Sequence, residues 1–175
     1  MQLHQLEHIL RASGAIADEK VFIVVGSQAI LASVEDPPPE LLVSMEADLY
    51  PRDSPEKADL ITGSIGEFSL FYETFGYHAD GVSPDTAVTP TSWRDRLVAL
   101  HNQNTGGVTG LCLGPVDIAI SKLVAGREKD LEYVSALLRH GIVKREHVLG
   151  LLHELSPEHS TLVASRLLTA EARAR

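Results

Sequence analysis

The sequence predicts an α/β (α+β) chain: a small mixed sheet flanked by helices and followed by a helical region. Three observations point there. Val21–Val25 is a β-branched apolar run that stops at Gly26, too short for a helix and suited to a buried central strand. Ser44–Tyr50 alternates, with Met45, Ala47 and Leu49 on one face and Ser44, Glu46, Asp48 and Tyr50 on the other. From Pro115 the period becomes helical, with one stripe of Val116, Ile120, Leu123 and Val124 and a second of Leu131, Val134, Leu137 and Leu138. The change at Pro115 divides the chain into an α/β core, residues 1–114, and a C-terminal helical region, residues 115–175, packed on it.

The elements follow in order. Leu3, Leu6, Ile9 and Leu10 recur at helical spacing and predict a helix over residues 2–13 that ends near Gly14. After the Val21–Val25 strand, Ser27 can cap a helix over residues 27–34. Pro37-Pro38-Pro39 forbids regular structure, and the second strand is expected to begin as early as Leu41–Val43. Asp53-Ser54-Pro55-Glu56 starts a helix reaching Ile65, with proline just inside and acids in the first turn. Residues 66–76 read as irregular or briefly helical, and Tyr77–Val82 as a third strand with His78 and Asp80 on one face. A short extended piece is expected near Thr86–Val88 and a bend or helical turn at Trp93–Leu97. Leu97–Leu100 and Val108–Leu113 form a hairpin across a polar, glycine-rich turn. Beyond the two helical stripes, further helices are expected at residues 144–154 and from Ser156-Pro157-Glu158, with Glu171–Arg175 frayed.

Composition narrows the classes. A length of 175 residues suits one domain, and a 44% hydrophobic content suffices for a core. The formal charge of −9 argues against non-specific coating of nucleic acid, which relies on Lys and Arg neutralising phosphates, while leaving a local basic patch open. A single cysteine, Cys112, excludes an internal disulfide framework and suits a reducing cytoplasm; its place in the hairpin predicts a buried strand residue. The first residues lack the basic start and long apolar run of a signal peptide, and no run approaches the ~20 residues that span a bilayer. The expectation is a cytoplasmic protein with no membrane partner.

Chemistry concentrates between Val21 and Tyr50. A glycine at a strand end lets the backbone approach a phosphate, and the following helix offers free N–H groups and a positive dipole. Glu46 and Asp48, two apart on a strand, converge beside Gly26-Ser27, and Asp80 on the third strand is a candidate third carboxylate. Carboxylates so grouped hold Mg²⁺, with Mn²⁺ as an alternative, and paired metals stabilise the attacking and leaving oxygens of an in-line displacement. Taken singly, each of these residues reads more simply as a turn or a solvated strand face. Their order along the chain is what points to phosphoryl chemistry.

In that order the sequence resembles the nucleotidyltransferase superfamily, and more closely the bacterial branch of AbiEii-type toxins and their small relatives. The resemblance spans residues 20–140. Gly26-Ser27 matches the first motif, Ser44-x-Glu46-x-Asp48 the acid-x-acid motif, and Asp117-x-x-x-Ser121-Lys122-Leu123-x-Ala125-x-Arg127-x-Lys129-Asp130 a later basic motif. It implies an enzyme that moves a nucleoside monophosphate from an NTP to an acceptor hydroxyl on RNA, tRNA, protein or a small molecule. It further implies Glu46, Asp48 and Asp80 as catalytic and metal-binding residues, and Gly26, Ser27, Lys122, Arg127, Lys129 and Asp130 around the nucleotide's phosphates. A toxin–antitoxin role, with a cognate antitoxin or partner protein, comes by the same analogy. Glu46 departs from the family's aspartate, moving a carboxylate by about one bond length toward an ion that tolerates little looseness. A second class therefore stays open: a catalytically weak or inactive module of the same fold that binds a nucleotide or a partner.

Other candidates are weaker. Lys122 and Lys129 would share a face if one helix ran unbroken through Gly126, with Arg127 and Asp130 paired on the surface; a solvated helix face explains the same residues. His78 reads as a general base, a substrate contact or a surface histidine. Gly63-Ser64-Ile65-Gly66-Glu67 lacks the ending of a P-loop, and His4 and His8 lack the glutamate and third ligand of a zinc protease site. Trp93 and the aromatic stretch Phe68–Tyr77 can stack on a base, with core packing the default.

Overall fold

A computed structural model describes residues 1–175. Five strands, β1 (Val21–Val25), β2 (Glu46–Pro51), β3 (His78–Gly81), β4 (Val98–Leu100) and β5 (Thr109–Cys112), form one mixed sheet in the order β3-β2-β1-β5-β4. β1 is central, antiparallel to β2 and parallel to β5, while β2 runs parallel to β3 and β4 antiparallel to β5. A five-residue run with four fully buried members has no solvent face, which is why it takes the middle of the sheet.

Seven α-helices surround the sheet. On one face lie α1 (Leu3–Ala17) and α2 (Ala58–Ile65), which touch each other. Leu6, Ile9, Leu10 and Ile61 are wholly buried there with Phe22, Val24 and Leu49 of the strands. Gly110 on β5 leaves room for the Leu10 side chain. After α3 (Leu70–Phe75), the C-terminal part contributes α4 (Pro115–Ala125), α5 (Glu128–Arg139), α6 (Arg145–Gly150) and α7 (Pro157–Ala174). α4, α5 and α7 pack mutually, and α4 contacts the short 3₁₀ helix Ser27–Ala32 that follows β1. That face of the sheet is the one carrying Val25, Asp48 and Glu46, as the pairing of Val25 with Asp48 and the two-residue strand period require. Hydrophobic burial is continuous from Leu6 through the sheet to Leu167.

Several expected boundaries move, each for a physical reason. α1 passes through Gly14 and stops at Asp18, in the left-handed conformation at φ 52°. Gly14 is small because a Cβ there would strike Val108, not because the helix ends. Residues 27–34 give only the 3₁₀ turn Ser27–Ala32, and Leu41 closes a 3₁₀ turn, Pro39–Leu41, so β2 begins at Glu46. The Pro55 start yields a 3₁₀ turn before α2, a 3₁₀ turn at Pro84–Thr86 leads into the piece expected near Thr86–Val88, where Ala87 is extended, and residues 144–154 divide into α6 and a 3₁₀ turn. The chain end holds its helix to Ala174, where Arg145 pairs with Glu171 and Arg173 with Glu128.

The largest departure is at Gly126. There is no unbroken helix: Gly126 adopts φ 67°, and α4 and α5 are separate. Arg166 on α7 donates to the Leu123 and Val124 carbonyls at 2.8 and 2.6 Å, satisfying the open end of α4. A Cβ at position 126 would collide with that guanidinium.

Candidate active site

β2 and β3 are in register, Glu46 opposite His78 and Asp48 opposite Asp80. Four polar side chains therefore stand as a two-by-two patch on the sheet face turned toward the C-terminal helices. Asp48 also pairs with Val25, the last residue of β1, and its carboxylate presses on the next residue, Gly26. Gly26 has φ 70°, and any Cβ there would overlap Asp48 Oδ2. Glycine is required at this turn on both counts.

Glu46 lies at the centre of the patch, within hydrogen-bonding reach of both Asp48 and Asp80. Burial first, and then the Glu46 charge, push the Asp48 carboxyl up to about 7. Burial and the Glu46 contact likewise raise Asp80, which the nearby His78 opposes. No ion pair of the protein involves any of the three carboxylates. Crowded carboxylates without a counter-charge resist ionising together.

A cleft of about 760 Å³ runs between this sheet face and the helices. Gly26, Ser27, Glu46 and Asp48 line one side; Lys122, Arg127, Lys129, Asp130 and Tyr133 line the other. Asp80 does not line the cleft, because β3 is the edge strand, one further from β1 than β2; it meets Glu46 and His78 instead. Lys122 extends from α4 toward the cleft, 12% exposed, with Nζ 3.1 Å from Asp130 Oδ1 and 4.5 Å from the Tyr133 ring centre. Burial lowers the Lys122 ammonium from its ordinary value, against the pull of Asp130.

Asp130 is fully buried, so the expected surface pair with Arg127 is instead a closed cluster. Arg127 donates through Nε at 2.6 Å and Nη2 at 3.2 Å, its backbone N–H adds a third bond at 3.3 Å, and Lys122 a fourth. Burial would raise the Asp130 carboxyl, but these donors overcome it and hold it below the ordinary range. Arg127 and Lys129 are themselves exposed. The break at Gly126 lets Arg127 precede α5 and cap it, which a continuous helix would prevent.

Two contacts beside the site have no counterpart in the sequence. Tyr133 donates its hydroxyl to the Ser27 carbonyl at 2.7 Å, tying α5 to the glycine turn. Arg96 grips the buried Asp117 with Nε at 2.9 Å and Nη2 at 2.7 Å, so Asp117 anchors α4 to the segment before β4. Neither contact has a local sequence signal, since the partners are 106 and 21 residues apart. Of the alternatives the sequence leaves for His78, burial against the Tyr72 ring removes the surface histidine.

Elsewhere the alternatives resolve toward packing. His8, Phe71, Phe75 and Tyr77 form an aromatic cluster, with His8 Nδ1 2.8 Å from the Tyr77 hydroxyl. Phe68 is the exception, almost fully exposed. Trp93 carries the Arg94 guanidinium 4.6 Å over its ring and lines a smaller cavity with Tyr50. Cys112 is buried, and burial pushes its thiol up to about 12. No helix is long and apolar enough to cross a membrane.

The patch fits a divalent cation. Its donors are oxygen-rich, none of the carboxylates is in an ion pair with the protein, and the His78 imidazole that stands with them has a buried Nδ1 without a hydrogen-bond partner. No curated protein and no solved structure matches the chain. A family model does, across residues 1–173, and with a glycine turn, an acidic strand pair and a basic helical wall around one cleft, the chain belongs to the family described as "Nucleotidyltransferase of unknown function (DUF6036)".

Proposed function

We propose that this chain is a Mg²⁺-dependent nucleotidyltransferase that moves a nucleoside monophosphate from an NTP to an acceptor hydroxyl and releases pyrophosphate. The observation that carries this reading is the carboxylate patch outside any ion pair of the protein, set beside Gly26, with Glu46 and Asp48 in one cleft with Lys122. Glu46, Asp48 and Asp80 would hold the ion, which when bound supplies stabilisation of the attacking and leaving oxygens. Gly26 and Ser27 let the backbone close on the phosphates. Lys122, Arg127 and Lys129 provide positive charge on the opposite wall, and Asp130 fixes the first two in place. On this view the core, residues 1–114, and the helical region, residues 115–175, each contribute one wall.

The finer placement is in the AbiEii-like branch, supported by the Lys122–Asp130 motif. The acceptor is then RNA, tRNA or protein, and a cognate antitoxin is the partner of choice. Glu46 at the motif's aspartate position favours a second reading, a weak or inactive module that binds a nucleotide or partner protein. Calorimetry of ATP and the other NTPs with and without Mg²⁺, followed by incubation of labelled NTPs with total tRNA, with protein and with small-molecule hydroxyls, separates the two. Metal-dependent binding and label transfer are expected. Loss of metal dependence overturns the enzyme, and binding without transfer to tRNA, protein or small-molecule hydroxyls selects the module.

A further inference from the structure

The three carboxylates leave His78 unexplained. It stands on the acidic face, opposite Glu46 and two residues from Asp80. Its side chain is only 8% exposed, and Nδ1 is buried with no hydrogen-bond partner. Buried polar atoms are nearly always satisfied, so an orphan of this kind calls for an explanation. The Tyr72 ring meets the imidazole edge-on, centroids 5.1 Å apart at 78°, which restricts its rotation.

A ring nitrogen of His78 and one carboxylate oxygen each from Glu46 and Asp80 all lie within 4.8 Å of one another. Donors bound about 2.1 Å from one ion stand roughly 3.0–4.2 Å apart, so small side-chain rotations bring this trio onto a single cation. Asp48 is outside the trio. It is held against Gly26 instead.

We propose that His78 is a direct ligand of the divalent cation, with Glu46 and Asp80, and that this mixed nitrogen–oxygen donor set selects a first-row transition ion such as Mn²⁺ over Mg²⁺. The proposal rests on the reading above that the acidic face binds a cation, and it changes which cation. Mg²⁺ takes oxygen donors and sheds water reluctantly, whereas an imidazole ligand favours softer divalent ions. It also accounts for Glu46: a longer carboxylate on β2 reaches across to a centre displaced toward β3.

Pulsed electron paramagnetic resonance of Mn²⁺ on the full chain, with and without a non-hydrolysable ATP analogue, tests it without reference to activity. The expected spectrum carries ¹⁴N modulation from a bound imidazole, replaced by a ¹⁵N pattern when histidine is isotopically labelled. In His78→Gln the modulation disappears and Mn²⁺ affinity falls about 10–100-fold, the range typical for disturbed metal sites, while Mg²⁺ affinity is little changed, so Mg²⁺ displaces Mn²⁺ more readily than from the wild type. The labelled wild type carries the test if that variant does not fold. Bound Mn²⁺ without nitrogen modulation overturns the His78 assignment and leaves metal-dependent transfer standing. No Mn²⁺ binding, with or without nucleotide, overturns both.

Discussion

Asp130 and Asp117, on the helical side, are fully buried and fully engaged, the first by Arg127 and Lys122 and the second by a bidentate Arg96. Glu46, Asp48 and Asp80, on the strand face, crowd one another outside any ion pair of the chain. Breaking a finished buried pair leaves a charge stranded, whereas removing one of several repelling charges relieves the fold. The helical wall is thus built for stability, and the strand wall holds unfavourable charge that a ligand cation would relieve. The contrast assigns opposite signs to carboxylate substitutions little more than a cleft apart.

The largest expected effect is at the engaged acid. Asp130→Ala should destabilise the protein by about 3–5 kcal/mol in urea denaturation, because Lys122 is left buried without its partner. A loss below 1 kcal/mol would mean that the cluster is solvated and the contrast false. Asp48→Asn should do the reverse in the metal-free protein, stabilising it at pH 8 by on the order of a few kcal/mol. The sign follows from linkage. With its carboxyl raised to about 7, folded wild type binds the Asp48 proton more tightly than the unfolded chain. That stabilisation is complete below the ordinary aspartate range and is lost as pH rises through 7. The advantage of Asp48→Asn should therefore be greatest above pH 7 and vanish toward pH 4, and saturating divalent metal should reverse it.

Smaller effects sharpen the same boundary. Gly26→Ala adds a side chain at positive φ and pushes on Asp48. A cost of about 1–3 kcal/mol is expected, together with weakened metal binding in calorimetry. Tyr133→Phe removes only the hydroxyl bond to Ser27, so about 1 kcal/mol is expected by thermal unfolding. Its nucleotide affinity should drop more than its stability, since the bond positions the glycine turn rather than the core.

How much of this was legible depends on the range of the interactions. Val21–Val25, the alternating Glu46–Pro51 strand and the Val98–Cys112 hairpin were readable because strand burial writes itself into neighbouring residues. Helix starts at Pro55, Pro115 and Pro157 were readable because proline belongs in a first turn. Glycine was less reliable. Gly14 read as a stop and proved to be a close approach to Val108; Gly126 left open in the sequence whether one helix ran through it, and it ends α4. In both cases the deciding atoms belong to a segment far along the chain.

The sequence by itself determined the strands, the glycine turn and the two-residue spacing that puts Glu46 with Asp48 and His78 with Asp80, because strand periodicity is local. Only the tertiary structure decided the rest. It set β3 in register beside β2, buried Asp130 between two cations, let Arg166 end α4, tied Tyr133 to Ser27 and left His78 Nδ1 without a partner. Each of these is a meeting of residues brought together by packing. Burial and charge neutralisation belong to the packed whole, and no stretch of sequence carries them alone.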